Sequence, residues 1–137
     1  MAICEGLDPE HPHRAPSLHN FALLLRDQGD FAGARPLFER ALAICERTRG
    51  ADHPDTNIVR CNLSRLLLRI GHPTEALSLG ETALTGFEKV LGQNHRFTKG
   101  EGAPVTAKAL DALGRTEEAK ALRERYGLTS SNDPKPS

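Results

Sequence analysis

The chain repeats itself at an interval of 42 residues, and no other property restricts its fold as much. His11-Pro12 returns as His53-Pro54, and His95 follows at the same interval. Sliding residues 8–49 onto 50–91 brings twelve identical pairs into register. They are His11/His53, Pro12/Pro54, Asn20/Asn62, Leu24/Leu66, Leu25/Leu67, Gly29/Gly71, Ala34/Ala76, Leu37/Leu79, Glu39/Glu81, Ala41/Ala83, Leu42/Leu84 and Glu46/Glu88. Unrelated segments of that length would share roughly three. A third copy is degenerate and one residue longer. It pairs Leu67 with Leu110, Gly71 with Gly114, Ala76 with Ala119 and Leu79 with Leu122, each 43 residues apart.

Inside each copy the apolar period is helical. Leu18, Phe21, Ala22 and Leu25 stand at i, i+3, i+4 and i+7, as do Leu63, Leu66, Leu67 and Ile70. A second apolar run follows each glycine, with Ala34, Leu37, Phe38, Ala41 and Leu42 after Gly29 and Ala76, Leu79, Ala83, Leu84 and Phe87 after Gly71. Each unit is therefore expected to be a helix A, a tight turn and a helix B. The A helices are expected near 15–28, 54–70 and 104–113, the B helices near 31–48, 73–91 and 116–126. Asp30 suits an N-cap and Pro73 a first helical position, while Glu117 and Glu118 after Thr116 sit where a helix dipole favours acids. Ala22, Ser64 and Ala107 on A and Ala34, Ala76 and Ala119 on B let backbones approach, with leucines filling the space around them. No such helix buries its stripe alone, so neighbouring pairs must stack into a continuous core.

Departures from the repeat predict weak points. Arg60 stands where the first copy has Leu18, and Gly80 where it has Phe38. Gly80 and Gly86 in one helix each cost about 0.8–1 kcal/mol relative to alanine. Gly100, Gly102 and Pro104 interrupt the third A helix, so 96–103 is expected to be irregular and mobile.

Charge and composition narrow the function. Lys+Arg and Asp+Glu are both 18, which removes the general electrostatic case for nucleic acid or an anionic membrane as partner. No apolar run approaches the roughly 18–20 residues that span a bilayer, and Met1–Gly6 lacks the pattern of a signal peptide. Three cysteines do not make a disulfide framework, so a reducing cytoplasm is the expected setting. His11, His53 and His95 fall one repeat apart and read as turn residues before helix A, not as a metal site. Cys4 and Cys45 are expected to pack as small hydrophobes and Cys61 to be exposed. No HExxH, Cys-x-x-Cys or phosphate-cradling glycine motif occurs, so neither catalysis nor a cofactor is expected.

Gly29-Asp30-Phe31, Ala34, Phe38 and Ala41 resemble the tetratricopeptide repeat. The 42-residue period, the linker Gly50-Ala51-Asp52-His53-Pro54 and the run from Asn20 to Ile44 look like the kinesin-light-chain subclass, which is also widespread in bacterial signalling proteins. The resemblance implies an all-α fold, a right-handed αα superhelix of about two and a half to three repeats. Its array would span 1–127, divided into the end of a preceding helix at 1–8, repeats at 9–49 and 50–91, and a degenerate repeat at 92–127, with a disordered tail at 128–137. Ala2-Ile3-Cys4-Glu5 echoes Ala43-Ile44-Cys45-Glu46, and the chain is accordingly expected to be a segment of a longer array or the relic of one.

The resemblance further implies that the A helices line a concave groove that binds a protein or peptide segment. The groove positions are His19, Asn20, Leu23, Arg26 and Asp27 in the first repeat, and Cys61, Asn62, Arg65, Leu68 and Arg69 in the second. Lys108 and Asp111 follow in the third. Asn20 and Asn62 either contact the ligand backbone or serve inter-repeat hydrogen bonding. Arg26, Arg65, Arg69 and Lys108 would bias the groove towards acidic segments. The alternative is a structural or self-associating arm of a larger signalling protein, pairing through an exposed N-terminal stacking face.

Overall fold

The computed structural model describes residues 14–128, which form six α-helices and one π-helical turn, with no strand among them. They are α1 (Arg14–Asp27), α2 (Phe31–Thr48), α3 (Pro54–Arg69), α4 (Pro73–Leu91), the π turn (Thr98–Gly102), α5 (Ala103–Ala112) and α6 (Thr116–Arg125). The expected preceding helix at 1–8, the tail beyond 128, Cys4 and His11 lie outside the described residues.

The repeat is visible in the hydrogen bonds that end each A helix. Asp30 N donates to Leu25 O at 2.8 Å and Gly29 N to Arg26 O at 2.9 Å. The same pair recurs from His72 to Leu67 and Gly71 to Leu68, and again from Arg115 to Leu110 and Gly114 to Asp111. This is the Schellman closure, which needs a left-handed residue at the turn. Gly29, Gly71 and Gly114 supply it at φ +86°, +86° and +79°. Asp30 then caps α2 as expected, its Oδ1 accepting from Gly33 N at 2.9 Å.

The linker between pairs is equally regular. His53 Nδ1 accepts from Asp55 N at 3.0 Å and Thr56 Oγ1 donates to Gly50 O at 2.8 Å. His95, Phe97, Thr98 and Gly92 repeat both bonds at the same distances. These histidines are helix caps.

The core forms where small residues let helices meet. Ala22, Ala34, Ala76, Ala107 and Ala119 are fully buried with Phe38, Leu66 and Leu67 in one cluster that crosses all three pairs. Ser64 takes an alanine's place and is satisfied by donating from Oγ to Ala76 O at 2.7 Å. The glycines of α4 have a packing reason. A Cβ on Gly80 would lie 2.8 Å from Thr106 Oγ1, and one on Gly86 would meet Asn57 with its Cγ at 2.9 Å. Their helix-propensity cost is offset by close approach to α5 and α3.

The expectation of an irregular 96–103 is corrected. Arg96 and Phe97 are already helical, the π turn follows and α5 continues it, so the third A helix starts near 96 instead of 104. The physical reason is the extra residue. Gly92, His95 and Thr98 keep the 42-residue offset, whereas Leu110 and Gly114 are at 43. Between them Ala103 N donates to Thr98 O, an i→i−5 bond that takes up one residue inside the helix. Glycine and Pro104 do not break it, because Pro104 falls in the first turn of α5, and Gly102 packs so closely on α4 that an added Cβ would lie 3.0 Å from Leu84 Cα.

At the C-terminal end Arg123 is buried against Asp111 at 2.6 Å, and the Tyr126 hydroxyl donates to Glu88. Burial, reinforced by that carboxylate, pushes the Tyr126 phenol up to about 12. No described helix is long and apolar enough to cross a membrane.

Candidate functional site

A chain of polar side chains runs from the first helix pair to the third, carried by α1, α3 and the π turn. Arg65 Nη1 donates to Asn62 Oδ1 at 3.1 Å. That fixes the Asn62 amide so that its Nδ2 points at His19 Nε2, 2.8 Å away on α1. The nitrogen that faces an amide donor must accept, so His19 is neutral and carries its proton on Nδ1. Burial, helped by Arg26, lowers the His19 pKa and favours the same neutral form. On the other side Arg65 Nη2 pairs with Glu101 Oε1 of the π turn at 2.9 Å.

Beside this ladder lies a hollow of about 260 Å³. Ala15, Pro16 and His19 of α1, Ile58 and Val59 of α3, and Phe97 line most of it, with Arg49 and Asp55 among the remaining lining residues. Arg49 and Asp55 pair at 3.6 Å. The site thus has an apolar floor and a polar margin, an arrangement suited to holding a chain segment by a side chain and a few hydrogen bonds.

The residues expected in the groove divide into three groups. Asn20, Arg69 and Lys108 are exposed, and Arg69 places its guanidinium over the Phe31 ring at 5.0 Å. His19, Asn62 and Arg65 are half-buried and joined in the ladder. Leu23 and Leu68 are half-buried against the main cluster, and Arg26 pairs with Asp27 at 3.0 Å. Asp111 is held by Arg123. Of the cations expected to give the face a positive bias, Arg26 and Arg65 are therefore already matched by acids.

Cys61 corrects an expectation of exposure. It is fully buried with Ala83, Phe87 and Val105, and burial pushes its thiol up to about 12. The cause is that α4 and α5 pack over this position of α3, whereas the equivalent His19 on α1 is left half open. Cys45 is buried too, and burial raises its thiol pKa. A thiol held protonated is a packing group and a poor nucleophile.

Two charged groups stand where the repeat alone gives no reason to look. Arg60 is buried, its Nη1 donating to Ala51 O at 2.6 Å and to Asn57 Oδ1, its Nη2 to Glu46 Oε2 at 2.8 Å. Asn57 Nδ2 in turn donates to Asp52 O at 3.2 Å, so the network ties the linker to α2 and α3. Glu101 reaches Arg65 because of the π turn, and the change of offset from 42 to 43 was its only sequence signal. Among the described residues no three His, Cys, Asp or Glu side chains are grouped to hold a metal ion.

A family model described as tetratricopeptide repeat matches residues 1–46 and 13–89, and a second of that description matches 105–125. A clustered mitochondria protein homolog of Culex quinquefasciatus is 32% identical over 99 residues, covering 72% of this chain and 7% of its own length. The homolog of Aspergillus terreus is 25% identical over 117 residues, covering 85% and 9%. The chain thus spans less than a tenth of the curated relatives it matches. Among solved structures, the nearly identical TPR-like repeats described as a kinesin light chain of Podosopora anserina superpose with a TM-score of 0.81 at 27% identity, over 96% of this chain and 64% of that one. A single-substitution form of the same repeats gives 0.80 at 28%, over 90% and 58%. BtubC (BKLC) from P. vanneervenii shares the fold at 0.80 and 19% identity, over 94% and 54%.

Proposed function

Because this chain belongs to the tetratricopeptide-repeat family and its repeats are kinesin-light-chain-like, we propose that it is a non-catalytic scaffold holding a peptide or protein segment on its A-helix face. Tetratricopeptide repeats generally mediate protein–protein interaction. The observation that carries the reading is the ladder from His19 through Asn62 and Arg65 to Glu101, set beside an apolar hollow. It offers half-exposed donors and acceptors next to a place for a side chain. Exposed Asn20, Arg69 and Lys108 extend the polar margin, and the cations favour an acidic segment. Two buried free thiols support a reducing cytoplasm as the setting.

Arg65→Glu combined with Arg69→Glu tests this. Binding of an acidic peptide, followed by fluorescence anisotropy at low salt, is expected to fall at least tenfold while helical circular dichroism is unchanged. Unaltered affinity would reject the groove.

Self-association has its own support. Phe21 and Leu24 on α1 are 38% and 52% exposed, while Leu63 and Leu66, one repeat later, are 3% and 0% exposed. In the second pair these positions are buried in one cluster with Ala34 and Phe38 of the preceding B helix. Among the described residues nothing covers this stacking face, and such a face invites a further helix. Light scattering over a concentration series is expected to show a dimer that Leu24→Glu abolishes. A monomer at all concentrations would dismiss this reading and leave the groove.

A further inference from the structure

Glu101 is the acidic member of the ladder, and no other copy carries a charge at its position. With the inserted residue allowed for, its counterparts are Ile58 in the second copy and Pro16 in the first, both lining the apolar hollow. The third copy puts a carboxylate there and, through the π turn, brings it to 2.9 Å from Arg65. We infer that Glu101 is an internal stand-in for a ligand carboxylate, seated on Arg65 in the empty groove and displaced when an acidic segment binds, so that it sets the groove's affinity. The inference rests on the groove reading above.

Three features allow the exchange. The Arg65 and Glu101 side chains are 32% and 35% exposed, so solvent and ligand reach both partners. An ion pair this accessible contributes little to stability, and replacing one carboxylate by another is nearly even. Arg65 stays anchored by its second bond to Asn62 while the exchange proceeds. On the other partner, the turn is held on one side and open on the other. Gly102 is lodged against Leu84 and Phe87, whereas a Cβ on Gly100 would meet nothing within 4 Å. Glu101 can therefore swing outward without moving the core.

The probe is a fluorescein-labelled hexaglutamate peptide, with hexaglutamine as the uncharged control, read by anisotropy at low salt. Glu101→Gln keeps the shape and removes the competing charge, so hexaglutamate is expected to bind it roughly two- to fivefold tighter than the unaltered chain, the range set by an exposed ion pair. Equal or weaker binding by Glu101→Gln, with the Arg65→Glu/Arg69→Glu form inactive, overturns the inference and leaves the groove standing. No binding by either the unaltered chain or Glu101→Gln overturns both. Binding by Glu101→Gln alone supports both. Should Glu101→Gln unfold, carbon-13 NMR of the unaltered chain decides. The Glu101 carboxylate resonance is expected to move at hexaglutamate saturation, and a stationary resonance overturns the inference.

Discussion

Arg60→Ala is expected to lower unfolding stability by about 2–4 kcal/mol, chiefly because buried acceptors lose their charged donor. The guanidinium is nearly enclosed, with 6% of its side chain exposed, and it satisfies Ala51 O, Asn57 Oδ1 and Glu46 Oε2 together. Truncation leaves the first two without a donor and opens a cavity as well. An orphaned buried acceptor alone costs about 1–3 kcal/mol. Glu46 loses less, since 43% of its side chain is already in solvent. Urea unfolding followed by circular dichroism measures the difference. Arg60→Leu, which installs the residue of the first repeat, refills the volume and is expected to recover part of the loss. A change below about 1 kcal/mol in the alanine form would mean that water replaces the arginine.

Gly86→Ala is the second large effect, and here two opposing contributions must be weighed. Alanine in a helix interior is favoured over glycine by about 0.8–1 kcal/mol. The added Cβ, however, would overlap the amide of Asn57, which is fully buried and held by Asp52 O and Arg60. Overpacking of that kind costs about 1–3 kcal/mol, and displacing Asn57 would also loosen Arg60. The steric contribution wins, so a net loss of about 1–2 kcal/mol is expected in the same urea experiment. Since both substitutions strike one network, Gly86→Ala should cost less once Arg60 has been removed, and the double variant measures that coupling. A stabilised Gly86→Ala protein would show that α3 and α4 can separate freely.

The helices were legible because their signals are local and repeated. Gly29, Gly71 and Gly114 mark the turns, and the alanine and leucine positions mark the faces, so α2 and α4 lie where the periodicity puts them. The turn role of His53 and His95 was legible for the same reason. What escaped depends on contacts between distant segments. Arg60 looks like a defect in an apolar stripe until Ala51 and Glu46 fold around it, and Gly80 and Gly86 look like weaknesses until Thr106 and Asn57 arrive beside them. Cys61 shares its helical position with His19, yet only the packing of α4 and α5 decides which one is covered. Most of the ladder was visible, since His19, Asn62 and Arg65 were all expected on the groove, but that they bond to one another and that Glu101 joins them follows from register across three helices.

The π turn bears on how such a chain can change its length. Inserting one residue in an α-helix swings everything beyond it by about 100° around the axis, enough to carry an apolar stripe out to water. Here the widened turn takes up that swing at once, and Ala107 and Leu110 return to the interior. The single extra amino acid leaves the downstream helices undisturbed, and its whole effect is a local bulge on one surface. Ancestral slips in copying a tandem gene segment can in this way persist as new shapes at a recognition face without costing the molecule its architecture.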